Sequence, residues 1–194
     1  GHLPFFAKFA RMKPIFLIGY MGSGKSTLGK ILARQLNYDF IDIDKYIEAR
    51  YRKTIRDLFA TYGEAGFRNI ERRLLEEVSD IGDVVIACGG GTPCFGNNMQ
   101  IINSKGTSIY LQVPVERLYA RLSRPHSKAK RPVIAGKTDE ELMQFITDNL
   151  AARNKYYSQA SFSFDTTNIE TAAETEETAA ILIEELRKKG IIGE

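Results

Sequence analysis

One stretch near the start of the chain constrains its fold more than any other. Residues 14–36 read PIFLIGYMGSGKSTLGKILARQL, which is a short apolar run, a glycine-rich turn and a segment with helical spacing. The turn matches G-x-x-x-x-G-K-[ST] at every fixed position, through Gly19, Gly24, Lys25 and Ser26. Because the motif requires a strand before it and a helix after it, this context favours a phosphate-binding loop over a chance glycine-rich turn.

The chemistry of this turn predicts a nucleoside triphosphate as ligand. Gly22 and Gly24 allow positive φ and bring backbone N–H groups close to an anion with no Cβ in the way. The following helix adds the positive end of its dipole. We expect Lys25 to reach the β- and γ-phosphates and the Ser26 hydroxyl to ligate Mg²⁺. The expected phosphate-loop contacts to ATP are Gly22, Ser23, Gly24, Lys25, Ser26 and Thr27.

Two carboxylates follow at the end of a second short strand, 39–43. Alternate side chains of a strand share a face, so Asp42 and Asp44 should point to the same side. Open α/β sheets bind ligands at the carboxyl ends of their strands, which makes this pair a candidate site. The alternative is that Asp44 only caps a helix over 45–50, which would leave Asp42 unexplained.

The middle of the chain adds charged and glycine residues to this set. A short helix over 57–63 and a longer one over 64–81 are predicted, with Arg68 beside the apolar stripe of the second. For an isolated arginine, an ordinary surface ion pair is the simplest reading. The apolar strand 84–88 ends in Gly89, Gly90 and Gly91, which leave bare backbone for a ligand or form a plain turn.

The second half is predicted to contain further helices and strands. Helices are expected over 98–104, 115–122, from Thr138 through Arg153, and over 175–189, and strands over 107–113 and 161–165. Thr138 opens a capping box. Residues 123–137 are basic and without periodicity, which fits either a solvated loop or a closing lid. Arg153 lies on an apolar stripe and must therefore reach solvent or meet an anion.

Alternating strands and helices predict an α/β fold with a mainly parallel sheet. Right-handed crossovers then bring Gly19, Asp42 and Gly89 to one edge. With 194 residues and no interdomain linker, residues 12–194 are expected to form a single domain. Residues 1–11 read as a cloning remnant or an N-terminal extension.

The composition bears on the ligands and the cellular compartment that are expected for this chain. A formal net charge of +3 does not argue for nucleic acid, because a protein that binds a nucleoside triphosphate needs cations for the phosphates anyway. There is no apolar run of about 18 residues, so no membrane span is expected. The two cysteines, Cys88 and Cys94, imply no disulfide framework and fit a reduced, cytoplasmic setting. A reactive thiol is the less common alternative.

Together these segments resemble the shikimate kinase family. The resemblance is carried by GYMGSGKST, DID, GFRNIE, GGG, KRP and RNKYY, in this order and spacing. It implies a three-layer P-loop fold with a five-stranded parallel sheet of order 2-3-1-4-5, a mobile lid at about 123–137 and a substrate-binding helical region at about 44–72. The implied reaction is transfer of the ATP γ-phosphoryl group to the 3-hydroxyl of shikimate in aromatic amino-acid synthesis.

The resemblance also implies roles for individual residues. Asp44 would accept the proton of the reacting hydroxyl, and Asp42 would organise Mg²⁺ together with Ser26. Arg68 and Arg153 would clamp the substrate carboxylate next to the backbone of the glycine turn. The remaining implied contacts are substrate binding by Gly89, Gly90 and Gly91, closure of Arg131 on the phosphates, and stacking of Arg121 on adenine. No adenine contact is assigned within 165–168, and Ile43 replaces a serine common in the family.

Other functions remain open from the sequence alone. The paired arginines favour a carboxylated substrate without proving shikimate, so a related small-molecule kinase such as a gluconate kinase is the nearest alternative. A nucleotide-gated switch or a nucleic-acid-stimulated ATPase lacks support, since no Asn-Lys-x-Asp guanine signature occurs. A non-catalytic binding module is disfavoured by the intact Lys25 and Asp44. The expected partners are ATP and shikimate, with no nucleic acid and no membrane, and the expected state is a monomer.

Overall fold

The computed structural model describes residues 11–194. The prediction for residues 1–11 therefore lies outside the described residues, apart from Arg11. Five strands run in the order β1 (Ile15–Ile18), β2 (Asp39–Asp42), β3 (Val84–Ala87), β4 (Thr107–Gln112) and β5 (Phe162–Asp165). The helices are α1 (Lys25–Leu36), α2 (Ile43–Tyr51), α3 (Ile55–Val78), α4 (Asn98–Lys105), α5 (Val115–Leu122), α6 (Pro125–Ala129), α7 (Pro132–Ala135), α8 (Asp139–Tyr157) and α9 (Ala172–Lys188), with a 3₁₀ turn at Thr92–Cys94.

The strands form one parallel sheet in the order β2-β3-β1-β4-β5, which confirms the predicted topology. The register places the ends of the first three strands level with one another. Ala87 of β3 pairs with Leu17 of β1 on one side and with Asp42 of β2 on the other. The phosphate loop, the first carboxylate and the glycine turn thus leave the sheet at the same edge.

Alternation along β1 explains the three layers. Phe16 and Ile18 face a core shared with α2, α3 and α4, whereas Ile15 and Leu17 face a second core shared with α1 and α9. Because every residue of β1 and β3 is buried, both strands need continuous apolar sequence, as parallel central strands do. A third, smaller cluster lies beneath the basic segment, where Tyr20 packs with Ile134 of α7.

Several element boundaries differ from the sequence-based expectation. The two helices predicted over 57–81 are both present and meet at Gly63, whose φ of 71° and ψ of 177° are not helical; together they form α3, which starts at Ile55 and ends at Val78 rather than at 57 and 81. The segment 123–137 contains the short helices α6 and α7. The last helix starts at Ala172, before the predicted Thr175, because the Thr171 hydroxyl caps it by accepting from the Glu174 N–H.

None of the helices described between residues 11 and 194 is both long and apolar enough to cross a membrane.

Candidate active site

A cavity of about 520 Å³ opens where β1, β2 and β3 end. It brings together most of the residues that the sequence singled out. Those lining it are Gly22, Gly24, Lys25, Ser26, Thr27, Asp42, Asp44, Gly89, Gly90, Arg121 and Arg131. Four other predicted site residues do not line this cavity, namely Ser23, Arg68, Gly91 and Arg153. Arg68 lines a separate pocket together with Glu64 and Phe95.

The loop between β1 and α1 has the backbone that a phosphate cradle needs. Gly22 and Gly24 have φ of 80° and 98°, as expected for glycines that turn the chain tightly. A Cβ on Gly24 would lie 2.1 Å from Cδ1 of Ile169, so a side chain at this position would have to displace the end of that isoleucine. No side chain caps the first turn of α1, which leaves its N–H groups available to an anion.

Lys25 lies inside this loop. Its Nζ donates hydrogen bonds to the carbonyl oxygens of Gly19 at 2.7 Å and Tyr20 at 2.9 Å. Burial lowers the pKa of Lys25 to about 8, and the carboxylate of Asp44 partly opposes this shift. A nearby phosphate would favour the charged ammonium further, so the site is chemically suited to an anion.

The two carboxylates share the site for a reason other than the predicted strand alternation. Strand β2 ends at Asp42, whose Oδ1 accepts a hydrogen bond from the Lys45 N–H at 3.2 Å and so caps α2. Asp44 lies in the first turn of α2, and Ile43 between them is fully buried. The expected capping role therefore belongs to Asp42, and the start of a helix directs both carboxylates toward the cavity.

Asp44 has an environment that favours its protonated form. Burial raises its pKa to about 6, with further contributions from the negative charges of Asp42 and Glu71. A Cβ on Gly89 would lie 2.9 Å from the Asp44 Oδ1, so the carboxylate packs directly on the bare backbone of the glycine turn. At neutral pH the group is mostly ionised and can accept a proton.

Two guanidinium groups approach neighbouring glycines of the same turn. A Cβ on Gly90 would lie 3.1 Å from the Arg153 Nη1, and a Cβ on Gly91 would lie 3.0 Å from the Arg68 Nη2. The Arg153 guanidinium also lies 5.3 Å from the ring centroid of Tyr20, in the phosphate loop. The two arginines thus converge on one backbone segment from α3 and α8.

Arg68 is not in an ordinary surface ion pair. Its Nη1 donates to the Glu71 Oε1 at 2.9 Å, and Glu71 is only 1% exposed. The second oxygen of Glu71 accepts from the Thr92 hydroxyl at 2.8 Å. The guanidinium carbon of Arg68 also lies 3.8 Å from the ring centroid of Phe95. This packing fixes the guanidinium at the border of the glycine turn.

The two remaining predicted arginines occupy the opposite side of the cavity. Arg121 is 7% exposed, and its N–H groups donate to protein acceptors in the phosphate loop and after β5. The hydrogen-bonding N–H groups of Arg121 are therefore occupied, so a nucleotide base in the cavity could contact this guanidinium only through its flat face. Arg131 lies at the start of α7, where its Nη1 donates to the Ser127 carbonyl at 2.9 Å and burial lowers its pKa.

The donor set fits a magnesium ion better than a transition metal. The Ser26 hydroxyl donates to the Asp42 Oδ2 at 3.0 Å, which pairs two hard oxygen ligands beside the phosphate loop. Mg²⁺ at phosphoryl-transfer sites takes one or two protein oxygens and fills its shell with water and phosphate. Within residues 11–194 no cluster of three or more His, Cys, Asp or Glu side chains could hold a metal ion by itself. A magnesium site of the kind described does not need such a cluster, because water and phosphate complete the coordination shell.

Several lining residues were not predicted. They are Met21, Ala87, Cys88, Arg124, Ser127, Ile169 and Glu170. Ile169 and Glu170 lie in a connecting segment with no motif or periodicity, so no local pattern could have found them. Cys88 and Cys94 are unpaired, and burial raises the pKa of both thiols, which disfavours the nucleophilic thiolate.

Comparisons with known proteins agree with one another. The family model described as shikimate kinase matches residues 21–187. A shikimate kinase of Parabacteroides distasonis is 46% identical over 172 residues, covering 89% of this chain and 98% of that protein. The crystal structure of a shikimate kinase from Bacteroides thetaiotaomicron is 45% identical with a TM-score of 0.86, covering 91% of this chain and 99% of that one.

A more distant solved structure has the same architecture. The shikimate kinase from Acinetobacter baumannii, solved in complex with shikimate, is 28% identical and has a TM-score of 0.78. The alignment covers 94% of this chain and 97% of that chain.

Proposed function

The chain belongs to the shikimate kinase family, and we propose that it transfers the γ-phosphoryl group of ATP to the 3-hydroxyl of shikimate in this cavity. The observation that carries the proposal is the convergence of Lys25, Asp44, Arg68 and Arg153 around the phosphate loop and the glycine turn. This arrangement provides an anion cradle, a proton acceptor and two cations for a carboxylate at one sheet edge.

The phosphate loop would hold the triphosphate. The free N–H groups of the first turn of α1 would bind the phosphate oxygens, and Lys25 would exchange its two carbonyl acceptors for them. Ser26 and Asp42 would hold Mg²⁺, which supplies charge neutralisation of the phosphates when it is bound. Arg131 would close on the phosphates from the lid, which we place at about 123–137.

Asp44 would accept the proton of the attacking hydroxyl. As the substrate oxygen bonds to the γ-phosphorus, the bond to the β–γ bridging oxygen breaks and ADP leaves, while the hydroxyl proton passes to the carboxylate. A carboxyl pKa of about 6 suits this role, because the group is ionised at neutral pH yet binds a proton more readily than an exposed aspartate.

Arg68 and Arg153 would orient the acceptor by binding its carboxylate. A planar guanidinium can bind a carboxylate through two parallel hydrogen bonds, which an ammonium cannot do. The bare backbone at Gly90 and Gly91 would let the acid approach both groups closely. Residues 44–72, which contain Asp44 and Arg68, form the substrate-binding region of this proposal.

The test is a coupled assay with Mg-ATP and a panel of acceptors containing shikimate and several sugar acids, including gluconate. We expect phosphorylated shikimate as the main product and no turnover by Lys25→Ala. Preferred phosphorylation of a sugar acid would mean that this acid, and not shikimate, is the carboxylated substrate. Fast phosphate release without any acceptor would instead favour the nucleotide switch.

The setting of the enzyme is also part of the proposal. We expect residues 12–194 to act as one catalytic unit and a monomer, which light scattering of the purified protein would check. A cytoplasmic location agrees with two unpaired cysteines and with ATP as co-substrate. Cell fractionation would test it.

A further inference from the structure

Glu170, between β5 and α9, is surrounded by three arginines. Its Oε1 accepts from the Arg121 Nε at 2.7 Å, and its Oε2 accepts from the Arg124 Nη2 at 2.7 Å. The Arg117 Nη1 lies 3.9 Å from the Oε1. All three arginines come from α5 or the residues that follow it, while Glu170 also lines the nucleotide cavity beside Ile169.

The other acceptors of Arg121 are neutral. Its Nη1 donates to the Gly22 carbonyl at 2.9 Å, and its Nη2 donates to the carbonyls of Thr166 and Thr167 at 2.7 and 3.0 Å. A buried guanidinium with only carbonyl acceptors would be costly, so the carboxylate of Glu170 supplies the compensating charge. Four acceptors from two segments, the phosphate loop and the connection after β5, fix the plane of this group, which lines the cavity.

The state of the Glu170 carboxyl agrees with this role. Burial alone would raise its pKa, but the hydrogen bonds and positive charges of Arg124 and Arg121 together outweigh burial and hold the pKa below its ordinary value. The carboxylate is therefore charged at neutral pH. Its side chain is 22% exposed, between the buried Arg121 and the more exposed Arg124.

We propose that Glu170 is a positioning residue for the nucleotide base: it fixes the guanidinium plane of Arg121 that the adenine stacks against. Arg124 is the residue before α6, so the same carboxylate also ties the root of the lid to the wall of the base site. This inference rests on the proposed function and on the stacking of Arg121 on adenine that the family resemblance implies. It adds a positioning residue two positions after 165–168, the segment to which the sequence assigned no adenine contact.

Binding measurements can separate the base from the phosphates. Titration calorimetry would compare ADP with inorganic tripolyphosphate, which offers phosphates to the loop but has no base. For Glu170→Gln we expect the Kd of ADP to rise roughly 5- to 20-fold, the range of a lost cation–π contact, with less than about a twofold change for tripolyphosphate. The matched control is Glu176→Gln, which removes an exposed carboxylate of α9 that pairs with Arg34 of α1. It should change neither Kd.

Two results would overturn the proposal. An equal loss of both ligands would mean that Glu170 only supports the phosphate loop through Arg121 and Gly22. An unchanged ADP affinity would mean that it does not act on the base at all. Because neither measurement needs an acceptor, failure of this proposal is distinguishable from failure to phosphorylate shikimate.

A second variant guards against misfolding. Glu170→Asp keeps the charge but is one methylene shorter, so it cannot reach Arg121 and Arg124 in the same geometry. We expect this variant to unfold at nearly the wild-type temperature and to lose ADP affinity selectively, by less than Glu170→Gln does. Wild-type ADP affinity in folded Glu170→Asp would contradict the positioning role.

Discussion

At the scale of single residues, the site places its charges where they disfavour folding. Burial raises the pKa of Asp44, and the negative charges of Asp42 and Glu71 raise it further. Lys25 is a buried cation whose pKa burial lowers. Such groups are unfavourable in the free protein and become favourable only when ligands bring complementary charge. Function and stability should therefore respond in opposite directions to their removal.

Asp44→Asn tests this opposition. The amide has the same shape but cannot accept the proton, so we expect kcat to fall by roughly 10²–10⁴ while ADP affinity stays within about threefold. Removing an ionised carboxylate with a raised pKa should increase Tm at pH 7.5 by roughly 2–6 °C. Calorimetric unfolding and steady-state assays would measure both effects.

The pH dependence of that stabilisation provides the control. The folded state binds the Asp44 proton more tightly than the unfolded state does, since the pKa is about 6 against an ordinary value of 3.8. The destabilisation of the folded wild type by ionised Asp44 therefore decreases as pH falls from about 6 toward 4. The Tm difference should shrink over that window, and a difference independent of pH would indicate another cause.

The pH profile of the wild type should be limited by two groups. Asp44 must be ionised, so kcat/KM for shikimate at saturating ATP should fall about tenfold per unit below about pH 6. Lys25 must be charged to attract phosphate, so kcat/KM for ATP should fall above about pH 8. In Asp44→Asn the acidic limb should disappear from the residual activity. An acidic limb that persists there would assign it to another group.

Arg153→Lys tests the carboxylate clamp. The ammonium keeps the charge but loses both the planar fork and the face that lies over Tyr20. We expect the KM for shikimate to rise about tenfold while kcat changes less than about threefold, in steady-state assays at saturating ATP. Arg187→Lys, at the exposed end of α9, is the matched control. An unchanged KM would remove Arg153 from the clamp.

At the scale of elements, sequence patterns predicted what packing requires. The apolar runs of β1 and β3 identified the central strands, and the capping box at Thr138 identified the start of α8 with both of its hydrogen bonds. Elements without a continuous apolar stripe were missed or shifted. Helices α6 and α7 are too short for periodicity, and α9 begins with residues that carry no apolar spacing.

Gly63 is the element boundary with a testable physical basis. Its φ of 71° and ψ of 177° lie in a region that essentially only glycine occupies, although a Cβ there would meet no atom within 4 Å. Gly63→Ala should therefore lower the free energy of unfolding by about 1–3 kcal/mol through backbone strain alone. Urea unfolding would measure this loss.

The control for Gly63 separates strain from steric contact. Gly136 also has open space around a Cβ, but its φ is −95°, which any residue adopts. Gly136→Ala should leave stability unchanged or raise it slightly. If the two substitutions cost the same, the backbone of Gly63 would not be strained by a side chain, and the interruption of α3 would need another explanation.

At the scale of the whole molecule, the sequence predicted the residues at the sheet edge. It did not predict the side of the cavity that α5 and the segment after β5 form. The phosphate loop, Asp42 and the glycine turn arrive at that edge because each lies at the end of a strand or directly after it. Glu170 meets Arg121 across 49 residues of sequence, and that pairing depends on how α5 and the segment after β5 pack. Contacts of this kind have no local signature, so the structure was needed to find them.

The distribution of buried side chains should determine which segment unfolds locally, and so exchanges its amide hydrogens, most readily. Between residues 125 and 135, Ile134 alone is buried, whereas every residue of β1 is. Amides of 125–135 should therefore exchange with deuterium within seconds in the free protein, well before those of β1. Adding ADP and shikimate should slow this exchange, because Arg131 would then contact the phosphates.

Two other regions serve as internal references for that measurement. The phosphate loop should be protected by ADP alone, while the solvent-facing half of α9 should exchange equally with and without ligands. Arg131→Ala should keep protection of the phosphate loop but lose most of the protection at 125–135, since the cation that draws the lid inward is absent. Protection of 125–135 that is the same in Arg131→Ala as in the wild type would show that closure does not depend on this arginine.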